Sequence, residues 1–183
     1  MNNSLKLLLT TNAIFVFADN LFGPLYAVYL QHLNNSIAIV SGTWSIKLFT
    51  TTITNLVLAK LGDHVREHEY LLITGYFIRA VSWFAFAFAS DLSHIIFIQV
   101  LLGIGEAVGS TGFDTIFAEH LDRSRHIHDY ATWQSISNIV AAVATILGGL
   151  VVTTFGFTPL FYIMGLIAFI CGIFTLLLPR KLF

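Results

Sequence analysis

Charge is what this sequence has least of. Asp, Glu, Lys and Arg make up 10% of its 183 residues, where an ordinary soluble domain carries about a quarter. The formal net charge of −1 leaves no basic surface for nucleic acid, and neither a Gly-rich phosphate loop nor a zinc-ligand spacing occurs. No cofactor, metal or nucleic-acid partner is therefore expected. Cysteine is nearly absent too. The single Cys171 has no partner for an intrachain disulfide and lies inside an apolar stretch, where packing is its expected role.

What the chain does have is apolar length. It is 56% hydrophobic with a mean hydropathy of +0.81, so a bilayer is its expected solvent. Crossing about 30 Å of hydrocarbon takes about 20 helical residues, and the chain divides at that scale into six stretches: Leu7 to His32, Ile37 to Leu61, Tyr70 to Ser90, Ser93 to Glu119, Tyr130 to Phe155 and Pro159 to Leu178. The gaps between them are too short for a soluble domain. The expected fold is all-α and integral to the membrane, one six-helix domain over residues 1–183. Lys6 precedes the first apolar run, but the run is too long for a signal peptide and no small-residue cleavage pattern follows, so it reads as a retained helix.

Seven of the nine Lys and Arg residues lie at the termini or at alternate connections between the stretches. With both termini cytoplasmic, Lys6, Lys60, Arg66, Arg123, Arg125, Arg180 and Lys181 all lie inside and the outward connections carry none, which fixes the expected orientation in the cell (inner) membrane. A short similarity between Val28 to Ser36 (VYLQHLNNS) and Ile116 to Ser124 (IFAEHLDRS) would relate two inverted three-helix units, about residues 1–90 and 91–183. Its three identities, His, Leu and Ser, leave chance as the competing reading.

Four ionisable residues sit deep in the apolar stretches: Asp19, Lys47, Arg79 and Glu106. At ~1.5 Å rise per residue each is about 15–20 Å along the helix from a charge near the end of its own stretch. On an insertion scale a Lys, Arg or Asp at the helix centre costs about 2.5–3.5 kcal/mol, so the four must pair or face water. They could form a structural ion-pair network or a solute or proton pathway with Asp19 and Glu106 as protonation sites. Intramembrane charges favour the pathway. Asn12, Asp19, Gly23 and Tyr26 share one face of the first helix, Gln99, Glu106 and Ser110 one face of the fourth, and Tyr76, Arg79 and Trp83 one face of the third. Asn20 and Asn138 are further candidates for polar lining. Gly23-Pro24 interrupts the first helix and predicts a bend, for packing or for gating.

Two stripes call for protein or water rather than lipid. Thr43, Lys47, Thr51 and Thr54 run along the second helix, and Gln134, Asn138, Ala141, Thr145 and Gly148 along the fifth. Small residues allow close helix approach and polar ones bond across helices; one six-helix unit could satisfy some of this internally, and two such stripes make a second copy of the chain attractive. No enzyme is expected. The GIGEAVG segment from Gly103 lies in a span and reads as helix packing, and Ser110 in GSTG has no base at its depth.

Three places resemble the six-helix half of a major facilitator superfamily transporter, specifically its N-terminal half. AKLGDHVREH at Ala59 to His68 is similar to the family's GxLaDrxGrr-type loop, matching at Leu61 and Asp63 and departing at Ala59, His64, Arg66 and Glu67. QVLLGIGEA at Gln99 to Ala107 resembles its fourth-helix RxxxGxG motif, with Gly103 and Gly105 in place and Gln99 where the Arg would stand. GGLVVTTFGFTPLFYIMG at Gly148 to Gly165 is similar to its passage from fifth to sixth helix. The resemblance implies the fold of one half of that family, gating contacts at Asp63 and Arg66, and a solute bound between two halves that alternate in access. Because members of that family usually have twelve helices, it further implies either a fragment or a half-size secondary transporter of a small organic solute, with or without a coupled proton, working as a homodimer through its second and fifth helices; the unexplained stripes on those helices favour the homodimer. The other reading is a six-helix scaffold or accessory subunit without transport.

Overall fold

The computed structural model describes residues 3–33, 36–61, 67–121 and 126–178, and every regular element among them is helical. The first apolar stretch is broken where Gly23-Pro24 predicts it: α1 (Asn3–Asn20) ends, Gly23–Leu25 makes one 3₁₀ turn, and α2 (Tyr26–His32) resumes. Pro24 sits at the start of that turn, where its missing N–H costs nothing. Five more helices follow: α3 (Ile37–Leu61), α4 (His68–Phe86), α5 (Leu92–Glu119), α6 (His126–Phe155) and α7 (Phe157–Leu177). Asp91 caps α5 by accepting the His94 amide at 2.9 Å. Between α6 and α7 stands only Gly156, whose φ of 82° lies in the left-handed region.

Four of these segments are long and apolar enough to cross a membrane: Lys6–His32 taken through its bend, α5, α6 and α7. Helices α3 and α4 have 25 and 19 residues. They dilute their apolar content with Ser41, Thr43, Ser45, Lys47 and Thr50–Thr52 on one, and Glu69 and Arg79 on the other. That dilution is the physical reason four crossings, rather than the expected six, stand on length and apolarity alone.

Helix α4 packs along α5 and α7, α5 carries α3, and α1 joins α7 to α6. Lipid tails are as apolar as Leu, so the fit between helices rather than water exclusion drives this packing. Fit here depends on missing side chains. Gly75 of α4 faces Gly109 of α5 so closely that a Cβ on Gly75 would overlap the Gly109 backbone, and one on Gly148 of α6 would strike the Leu21 carbonyl. Phe22, Tyr29, Phe86 and Phe161 fill the join of α1, α2, α4 and α7, with ring centres 4.9–5.8 Å apart. Cys171 is buried farther along α7, its thiol 3.7 Å from the Thr11 carbonyl of α1.

Candidate functional site: a chamber closed by two ion pairs

The four deep charges meet in two pairs. Arg79 donates through Nη2 to Asp19 Oδ1 at 2.7 Å, joining α4 to α1. Lys47 Nζ lies 2.6 Å from Glu106 Oε2, joining α3 to α5. All four line one cavity of about 160 Å³, together with Asn20, Tyr26 and Gln99. Pairing removes most of the cost each charge would meet alone in hydrocarbon, and the cavity supplies the polar surroundings the remaining atoms need.

Aromatic rings hold the bases in place. Tyr76, Arg79 and Trp83 fall on one face of α4 at three- and four-residue spacing. The Arg79 guanidinium sits 4.7 Å from the ring centre of Phe15 and 5.8 Å from that of Trp83, within cation–π reach. On α3, Lys47 Nζ lies 4.7 Å from the Trp44 ring centre, and Trp44 is in turn 5.3 Å from the Tyr26 ring. The Tyr26 hydroxyl donates to Thr43 Oγ1 at 2.6 Å.

Two further cavities flank the chamber along α3. One, of about 410 Å³, lies beside Pro24, Val40, Ser41 and Ser45 and shares Gly23, Tyr26 and Trp44 with the chamber. The other, of about 400 Å³, lies near the opposite end of α3, between Asn55, His68, Ser110 and Asp114. Ser41 and Asn55 are about 21 Å apart along a helix rising ~1.5 Å per residue, so cavities with some polar lining occur along much of the helix length.

The model of the Major Facilitator Superfamily matches residues 8–182. The chain belongs to the major facilitator superfamily. It is therefore of a multi-pass, membrane-embedded transporter family, consistent with its apolar helices. Among curated proteins it is similar to the multi-drug resistance efflux pump PmrA of Streptococcus pneumoniae, in serotype 4 and in strain R6, at 26% identity over 179 residues. That similarity covers 96% of this chain and 44% of each relative, so the chain spans about half the length of the relatives it matches.

This facilitator chain brings Asp19, Asn20, Tyr26, Lys47, Arg79, Gln99 and Glu106 to one place. Two other candidates lie elsewhere. Asn12 is buried and accepts the Tyr76 hydroxyl at 2.9 Å, bracing α1 against α4 away from the chamber. Asn138 is exposed on α6, where it accepts from Gln134 at 3.3 Å. Asp63 and Arg66 lie outside the described residues.

Of the residues expected at a subunit contact, four are satisfied within the chain. Thr43 is buried under Tyr26, Thr51 donates to the Gly103 carbonyl at 3.2 Å, Thr145 donates to the Asn20 carbonyl at 3.3 Å, and Gly148 packs on Leu21. Through these contacts α3 holds α2 and α5, and α6 holds α1 and the Leu21 that follows it. Thr54 and Ala141 are half-buried and Gln134 is exposed.

The chamber also uses Phe22, Trp44, Phe86 and Leu102, which the sequence reading passed over. Trp44 was findable, because it stands three residues before Lys47 and so one helical turn away.

Proposed function

We propose that this chain is one six-helix half of a secondary transporter for a small organic solute, with the ion-paired chamber as its share of the solute path. The observation that carries the reading is the convergence of two acids and two bases from α1, α3, α4 and α5 on one aromatic-walled cavity, with further cavities to either side of it along α3. In this reading α3 and α4 also cross the bilayer, giving six crossings with both termini cytoplasmic in the inner membrane.

Packing supports two inverted three-helix units. Exchanging α1 for α5, α3 for α6 and α4 for α7 turns the contact of α3 with α5 into that of α6 with α1, and the contact of α4 with α5 into that of α7 with α1. An approximate two-fold of this kind is how a solute site comes to lie between repeats.

Alternating access needs a second half to rock against, and a second copy of the chain supplies it in this proposal. Its seat is the outer faces of α3 and α6. Ser45, Thr52 and Asn55 are exposed on α3, and Gln134, Ser135 and Asn138 on α6, polar groups that gain more from a protein neighbour than from lipid. Opening and closing would loosen the intrachain ion pairs through a proton on Asp19 or Glu106.

The test is flux in proteoliposomes across a panel of small aromatic solutes, with native mass measured in nanodiscs. Transport that disappears in Asp19→Asn and Glu106→Gln while both variants remain folded supports the proposal. A folded protein that moves no solute is the scaffold reading instead.

A further inference from the structure

We propose that the chamber selects an uncharged, single-ring aromatic solute carrying an amide-type edge, and that Gln99 reads that edge. The inference rests on the chamber being the solute site, and adds the substrate class.

Charge balance comes first. The chamber's two acids and two bases are committed to each other at 2.7 and 2.6 Å, so the lining sums to zero. A net-charged solute would have to break a pair to obtain a counter-charge and would strand the released partner. An uncharged solute disturbs neither.

Gln99 supplies the recognition. It is 1% exposed and lines the cavity, yet neither Oε1 nor Nε2 has a hydrogen-bond partner. The Tyr26 oxygen is the nearby group that could accept from the amide, but its proton goes to Thr43, so Oε1 is left without a donor. A buried amide without partners is costly in a folded protein. It presents one acceptor beside one donor, a pair met in full by a primary amide or lactam and by half of a carboxylate or an amidinium.

Walls and volume supply the ring. Phe22, Trp44, Trp83 and Phe86 border the chamber, and its volume of about 160 Å³ is close to the ~150 Å³ apolar cavity that accepts benzene. One planar ring with one small polar substituent fits both.

Benzamide, benzoate and benzamidinium are near-isosteric and differ in charge and in donor–acceptor pattern. Equilibrium binding of radiolabelled benzamide to the full chain in nanodiscs, with the two ions as competitors, tests the inference. Wild type should prefer benzamide by about tenfold or more, Gln99→Leu should lose about tenfold of that affinity, and Gln99→Glu should shift preference to benzamidinium, whose two N–H groups match a carboxylate. Equal or tighter binding of either ion to wild type overturns the proposal, as does undiminished benzamide affinity in folded Gln99→Leu. If Gln99→Leu does not fold, the Gln99→Glu arm decides, and an unshifted preference overturns it.

Flux separates this inference from the transport reading. Gln99-dependent benzamide binding without any solute movement leaves the inference standing and removes transport. Movement of charged solutes by a protein that does not bind benzamide does the reverse.

Discussion

Lys47 reaches two partners at once: its ammonium lies 2.6 Å from Glu106 Oε2 and 4.7 Å from the centre of the Trp44 ring. The pair is part-exposed to the chamber, with side-chain exposures of 15% and 32%, so breaking it is cheaper than breaking a fully dry pair. Glu106→Ala should lower stability by about 1–3 kcal/mol, below the 3–5 kcal/mol typical of buried pairs. The double variant Lys47→Met/Glu106→Leu removes both charges and should recover most of that loss while transport stays abolished. Thermal midpoints in detergent and proteoliposome flux check the two halves of this expectation.

Arg79 tests geometry rather than charge. Its planar guanidinium bonds Asp19 and lies near the faces of Phe15 and Trp83, and a lysine ammonium offers no flat face to stack. Arg79→Lys should therefore cost about tenfold or more in transport despite keeping the charge, a drop of about 1.4 kcal/mol in transition-state stabilisation. Flux normalised to folded protein measures it. Activity equal to wild type would make the stacking irrelevant.

The approach of α4 to α5 leaves no room at Gly75, whereas a Cβ on Gly149 meets nothing within 4 Å. Gly75→Val should destabilise by about 1–3 kcal/mol or more through forced separation of the helices. Gly149→Ala is the control, expected within about 1 kcal/mol of wild type and on the stable side because Ala favours helix. Thermal unfolding of the two variants side by side gives the comparison.

Much of the site was legible because charges in apolar runs are conspicuous. Asp19, Lys47, Arg79 and Glu106 could be named from sequence, and the break at Gly23-Pro24 from the chemistry of proline. Direction was not legible. The polar stripes on α3 and α6 announce that lipid is unsuitable but not which protein surface they meet, and Thr43, Thr51, Thr145 and Gly148 turned out to hold neighbouring helices of the same chain. Asn12 shares a face with Asp19 by spacing, yet Tyr76 of α4 claims its carbonyl. Such pairings depend on which helix arrives from elsewhere in the chain, which local periodicity does not encode. Trp44 was missed for a related reason, since a Trp in a membrane helix usually anchors at the interface.

Acid should loosen the start of α5. Asp91 accepts from the Ser93 hydroxyl at 2.6 Å and the His94 amide at 2.9 Å. The Ser93 bond first, then the amide, holds its carboxyl below the ordinary value of 3.8. A depressed carboxyl stabilises the folded state above its unfolded pKa, and the contribution fades as pH falls through the folded value. The cap should therefore be fully present at neutral pH and lost only below about pH 4. Asp91→Asn keeps an acceptor for the amide and should remove this part of the acid dependence, as hydrogen exchange at His94 across the acid range would report. An unchanged acid profile in Asp91→Asn would remove the cap from the account.

On the proposed path, water reaches the ion pairs halfway along the helices while neighbouring positions face lipid. Native Cys171 is buried, so single cysteines can be placed at Asn20, which lines the chamber, and at Ile14, which is 49% exposed on the outside of α1. Labelling in proteoliposomes with a membrane-impermeant thiol reagent is the most direct measurement. Asn20→Cys should be modified rapidly and Ile14→Cys, whose greater exposure is to acyl chains, not at all. Modification of Ile14→Cys with Asn20→Cys left unreacted would contradict the proposed path.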